Sequence, residues 1–151
     1  MKFSVIAAAA SLVAVGSCGK AIVKNNCDAT VFVQSFPYSG GQGAQTALRK
    51  GETWSEDMIA AGSTVKIAKT RALSDPLFFG YSSSKNPNYA YYEFSTQWGN
   101  PFSGNRNILS PGDGCEQFDC AANQADCYST PVHKKVFGCP EPVDVTATLC
   151  A

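Results

Sequence analysis

Apolar and polar residues alternate with a period of two in several short stretches of this chain, a pattern that predicts β-strands. Ala29–Ser35 is rich in β-branched and aromatic residues, with Val31 and Val33 on one face and Phe32 on the other. In Thr64–Lys69, Val65 and Ile67 point one way and Lys66 the other. Asp144–Leu149 repeats the pattern, with Val145, Ala147 and Leu149 inward and Thr146 and Thr148 outward. Ala21–Val23, Leu77–Tyr81, Tyr89–Phe94 and Lys134–Phe137 read as further strands, and Gly51–Glu56, around Trp54, as a less regular one.

Glycine, proline, serine and asparagine fill the gaps: Ser39–Gly41, Ala61–Ser63, Ser82–Asn88, Gly99–Asn107 and Pro111–Gly114. About seven or eight short strands with such turns predict an all-β fold, a two-sheet antiparallel β-sandwich. Cys115–Tyr128 is the one segment suited to a helical turn. No internal repeat and no domain boundary is visible, so residues 19–151 read as one domain with a core of its own.

The N-terminus has a different pattern. Met1-Lys2-Phe3 precedes an apolar, alanine-rich run, Ser4–Val15, and then the small residues Gly16, Ser17, Cys18 and Gly19. This is the layout of a cleaved signal peptide over residues 1–18, and it predicts a secreted protein, extracellular or cell-wall associated. The run is too short for a comfortable bilayer span. Of the seven cysteines, cleavage after Cys18 leaves six, an even number suited to disulfides; cleavage after Gly16 leaves one over. Val15–Cys18 also resembles a bacterial lipobox, which would make Cys18 a lipid-bearing terminus.

Charge narrows the partners. Twelve Lys and Arg stand against twelve Asp and Glu, with no basic run beyond Arg49-Lys50 and His133-Lys134-Lys135. Nucleic-acid binding needs concentrated positive charge, so it is not expected. Membrane-active toxins need a cationic surface, and the same balance speaks against an antimicrobial or toxin-like effector, which stays as a further alternative.

Candidate chemistry is sparse. His133 is the only histidine, no serine lies in a G-x-S-x-G setting, and no free thiol is expected. The cysteine spacings do not form paired zinc knuckles, so neither metal nor cofactor is expected and no catalytic residue is assigned. Carboxylates remain. On Tyr89–Phe94, Glu93 shares a face with Tyr89 and Tyr91, while Ala90, Tyr92 and Phe94 take the other. The apolar face belongs inside, so Tyr89, Tyr91 and Glu93 are the candidate ligand-binding residues.

The ordered set of short motifs resembles the fungal Bys1 family, whose members look like small thaumatin-like proteins. Ala21–Cys27 matches its strand ending in an N-N-C turn, and Leu48, Gly51 and Trp54-Ser55-Glu56 its L-x-x-G-x-[WY]-S-E stretch. Tyr91–Ser95, Gly99–Gly104, Leu109–Pro111 and Asp144–Cys150 follow in family order. Trp54 and Phe102 are placed in the core. Cys120 and Cys127 are a departure from the four cysteines of many members.

The resemblance implies a disulfide-stapled sandwich whose terminal strands are tied by Cys27–Cys150. The other pairs follow as Cys115–Cys139 and, by proximity, Cys120–Cys127, with Cys115–Cys120 as the competing arrangement among 15 connectivities. Larger thaumatin-like proteins carry an acidic cleft linked to β-glucan, but their full set of cleft acids cannot be matched here. The expectation is a monomeric, non-catalytic interaction protein that binds a cell-wall polysaccharide or a host surface protein. The alternative is a weak β-glucan hydrolase, which would need two carboxyl groups about 5 or about 6.5–9.5 Å apart.

Overall fold

The computed structural model describes residues 19–151; the leader read over residues 1–18, with Cys18, lies outside them. Eleven strands follow in order: β1 Lys20–Asn25, β2 Val31–Pro37, β3 Thr46–Leu48, β4 Thr53–Asp57, β5 Ser63–Ala68 and β6 Leu77–Lys85, then β7 Asn88–Ser95, β8 Asn107–Ser110, β9 Phe118–Cys120, β10 Phe137–Pro140 and β11 Val145–Leu149. They form a five-stranded sheet, β4-β1-β11-β8-β9, and a six-stranded sheet, β10-β7-β6-β5-β2-β3. Among the described residues no helix is long and apolar enough to cross a membrane. The only helical turn among them is Ala125–Cys127, inside the segment read as suited to one.

The fold is all-β and dominated by antiparallel pairs, with one exception. β1 runs parallel to β11, Val23 opposite Ala147 and Asn25 opposite Leu149. Parallel strands need a long crossover, and here nearly the whole chain is that crossover.

Four details differ from the strand pattern in the sequence. β3, β8 and β9 are short strands with little alternation of their own; a partner strand defines each. β6 runs on through Ser82–Lys85, read as a gap, because Ser84 pairs with Tyr89 and Lys85 with Asn88. The strand read at Lys134–Phe137 begins at Phe137, where Gly138 pairs with Tyr91. Pro140 ends it at the sheet edge, where a missing N–H is tolerated. Trp54, placed in the core from sequence, is only partly buried because β4 is an edge strand; Phe102 is fully buried.

Inward residues of both sheets meet in one core. Val31, Val33, Val65, Ile67, Phe79 and Phe94 come from the larger sheet, and Val23, Leu109, Phe118, Ala147 and Leu149 from the smaller. Phe94 packs at 5.6 Å from Tyr128 and edge-on at 6.4 Å from Phe118. Disulfides join Cys27–Cys150, Cys115–Cys139 and Cys120–Cys127. Buried asparagines orient both ends of the first. Asn25 Oδ1 accepts from the Cys27 N–H at 2.9 Å, and Asn107 Oδ1 from the Cys150 N–H at 3.1 Å.

One end of the core is polar. Glu56 on β4 faces inward, and its Oε1 accepts from Ser35 Oγ at 2.7 Å and from Tyr81 Oη at 2.8 Å. Ser35 and Ser63 hydroxyls lie 2.7 Å apart beside it. One carboxylate from the smaller sheet thus satisfies two buried hydroxyls of the larger. Such groups are costly to bury without partners.

Two buried phenols give the fold an alkaline limit. Burial, then the neighbouring Glu56, raises the Tyr81 hydroxyl's pKa; burial, then Glu116, pushes that of Tyr92 up to about 12. In the unfolded chain both titrate near ~10. The native state holds its protons longer, so this stability is complete below about pH 10 and lost as pH rises toward 12. Urea unfolding between about pH 9 and 12 should show a falling midpoint, with a shallower fall in Tyr92→Phe. Equal slopes in both proteins would contradict it.

Candidate functional site

The outer face of the six-stranded sheet carries the candidate residues. Along β7, Ala90, Tyr92 and Phe94 are buried, while Tyr89, Tyr91 and Glu93 are half-buried on the opposite side. The sheet alternation therefore puts all three on one surface. Tyr89 and Tyr91 are stacked, with ring centroids 6.2 Å apart and planes 28° from parallel.

Two glycines decide how these side chains lie. Gly138 on β10 is opposite Tyr91, and a Cβ there would come within 3.1 Å of the Tyr91 ring. Gly80 on β6 is opposite Glu93, and a Cβ there would lie 2.9 Å from Glu93 Cγ. The tyrosine and the glutamate therefore lie down along the sheet, over backbone, instead of standing up from it. Sequence reading placed the three residues on one face but found no role for Gly80 or Gly138, because their partners are set by pairing across strands.

Ser129 Oγ donates to Glu93 Oε2 at 3.3 Å and accepts from the Lys135 N–H at 3.1 Å. Glu93 is thus tethered on one side and open on the other. A shallow depression of about 260 Å³ lies over it, lined by Tyr38, Gly80, Ser82, Tyr91, Glu93 and Lys134 among others. Glu93 is the one carboxylate in that lining. A larger groove of about 690 Å³ adjoins it, sharing Tyr38, and its one carboxylate is Asp75. Neither depression sets two acids face to face, the arrangement that glycoside hydrolysis uses.

The remaining polar candidates sit elsewhere. His133 is exposed, its backbone N–H bonded to Thr130 Oγ1. Among the described residues no cluster of three or more His, Cys, Asp or Glu is placed to hold a metal ion. Ion pairs Lys20–Asp57, Lys50–Asp28 and Arg106–Asp119 are all exposed or half-exposed and outside these depressions. Glu56, part of a sequence motif without an assigned task, is the inter-sheet acceptor described above.

Comparison with known proteins places this architecture. A crystal structure of the protein elicitor MoHrip2 from Magnaporthe oryzae is 58% identical and superposes with a TM-score of 0.85, covering 89% of this chain and 100% of that one. The thaumatin-like xylanase inhibitor TLXI superposes with a TM-score of 0.63 over 87% of this chain and 99% of that one; at 14% identity the likeness is one of fold. An antigenic thaumatin-like protein of Arthroderma benhamiae is 31% identical over 145 residues, covering 90% of this chain and 73% of that protein. Residues 6–151 match the Bys1 family, described as Blastomyces yeast-phase-specific protein. With nearly its whole length matched and a sandwich of the thaumatin-like kind, the chain belongs to the Bys1 family.

Proposed function

We propose that this is a secreted, monomeric interaction protein that works by binding, and that the Tyr89–Tyr91–Glu93 face takes a cell-wall polysaccharide of the β-glucan type. One observation carries the reading: Tyr91 and Glu93 lie flat over Gly138 and Gly80, side by side beside an open depression. Aromatic rings stack on the apolar faces of sugars while phenol and carboxylate oxygens take hydrogen bonds from hydroxyls. The single carboxylate in the depression favours binding over hydrolysis. The leader and the disulfides support export, and the likeness to an elicitor supports a role at a host interface, with a host surface protein as the second partner class.

Pull-down on insoluble β-glucan tests it. Tyr91→Ala should weaken retention about tenfold, the equivalent of one lost stacking contact. Glu93→Gln should weaken it less, since the amide keeps the shape and an acceptor. Neither should move the melting temperature much, because both side chains are on the outer face. Sustained release of reducing sugar from laminarin, abolished by Glu93→Gln, would make the protein a hydrolase. Retention unchanged in Tyr91→Ala would remove the site from this face.

A further inference from the structure

The groove beside the Glu93 depression has chemistry of its own. Its floor is Phe36 on β2 and Phe78 on β6, with Lys66 of β5 between them. The Lys66 ammonium lies 4.3 Å from the Phe36 ring centroid and 5.7 Å from that of Phe78. Its walls are Tyr38 and Trp98, each 61% exposed, and Asp75 stands at the rim. The volume, about 690 Å³, falls within the ~300–1,000 Å³ range of small-molecule sites.

Trp98 is held out by a braced loop. The Gln97 N–H bonds Ser95 Oγ at 3.3 Å, and Gly99 is pressed against the backbone of Asp75, where a Cβ would come within 2.5 Å of the Asp75 carbonyl oxygen. On that facing loop Leu73 and Asp75 have φ of 53° and 48°. Side-chain-bearing residues seldom adopt such angles, and where they persist the surroundings hold them, often at binding sites. An indole exposed on a fixed mount is a surface built for contact.

Charge identifies the ligand class. Among the described residues, Lys66 is in none of the ion pairs, and neither is Arg71, whose guanidinium sits 5.3 Å from the Phe32 ring centroid. Phe32 and Phe36 are four residues apart on β2, which sets the two rings roughly 13 Å from each other along the strand. Two cations thus rest on aromatic faces in line, each free to take an anion. Asp75 is the one carboxylate in the groove lining, and it is in none of the ion pairs among the described residues. The two depressions meet at Tyr38: Glu93 and Lys134 line one, and Lys66 and Asp75, among aromatic rings, line the other.

We propose that the Lys66–Trp98 groove binds a linear polyuronate, a saccharide chain with a carboxylate on each ring. One pyranose face stacks on Trp98 and its carboxylate pairs with Lys66. A carboxylate further along the chain reaches Arg71. Asp75 accepts hydrogen bonds from sugar hydroxyls at the rim. A saccharide with a single acid group would satisfy only one of the two cations, and a neutral glucan neither. This site shares only Tyr38 with the Glu93 depression and does not depend on glucan binding there.

Titration calorimetry of the purified protein with short oligogalacturonates, their methyl esters, a xylo-oligosaccharide bearing one glucuronate, and laminarihexaose tests the proposal. The oligogalacturonate should bind, weaken with added salt, and lose about tenfold in affinity on esterification. Lys66→Gln should cost the acid form about tenfold and flatten the salt dependence. Trp98→Ala should weaken acid and ester alike, with the melting temperature kept because the indole is exposed. Tyr91→Ala should leave uronate binding intact, so failure of the glucan reading and failure of this one are told apart. Equal affinity for acid and ester, or for the singly charged xylo-oligosaccharide, overturns the proposal. So does an unchanged affinity in Trp98→Ala, or a groove that takes a proline-rich peptide and no uronate.

Discussion

Replacing Cys27 and Cys150 together by alanine is expected to lower the melting temperature by roughly 15 °C. The bond spans 123 residues of sequence, and the chain-entropy account assigns a loop of that size about 4–5 kcal/mol. The measured loss should fall somewhat below that figure, because the β1–β11 ladder already brings the two ends together without the covalent link. Each cysteine N–H is also held by a buried asparagine, so the geometry survives while the constraint on the unfolded chain is lost. Urea unfolding of the double variant, measured without reductant, checks it. An unchanged midpoint would mean that the unfolded chain was never constrained by this bond. Glucan retention below the new midpoint should persist, since the Glu93 face lies on the other sheet.

Phe94→Ala is the second large effect, about 3–5 kcal/mol of stability. Phe94 has no exposed surface and packs against Tyr128 and Phe118, one on the segment after the Ala125–Cys127 turn and one on β9. Removing the ring costs its transfer energy and leaves a cavity between the sheets beside Phe118 and Tyr128. The contrast with the adjacent residue is the point of the experiment. Glu93→Gln, one position earlier on the same strand, should change ligand retention and leave stability alone. If both substitutions destabilised alike, the division of β7 into an inner and an outer face would be wrong.

That division was legible in the sequence, and the reason is local. Alternation along β2, β5, β7 and β11 reflects which side of each strand meets the core, and a strand carries that record in its own residues. The cysteines are local too. What sequence could not supply depends on partners. β8 and β9 have three or four residues and become strands through their ladder with each other and with β11. Ser82–Lys85 reads as a turn in isolation and is strand because Tyr89 and Asn88 pair with it. Glu56 is one acid in a polar stretch until Ser35 and Tyr81 arrive from the other sheet. The same holds for the candidate faces. Tyr89, Tyr91 and Glu93 share a strand and could be found together; Phe36, Lys66, Phe78 and Trp98 come from four separate segments and could not.

The strand order of the smaller sheet sets when this protein can fold. Its middle strand, β11, comes last in chain order among the described strands, and β1, the first of them, has only the edge strand β4 on its other side. Until Leu149 emerges, β1 and β8 each lack the neighbour that completes their pairing, and the inner face of the larger sheet has no finished cover. Folding outward from the N-terminus as the chain appears is therefore closed to it. Long-range closure of this kind is slow and leaves apolar surface open in the interval. The smaller sheet therefore waits for its most distant segment, and deleting Val145–Leu149 should prevent its assembly altogether.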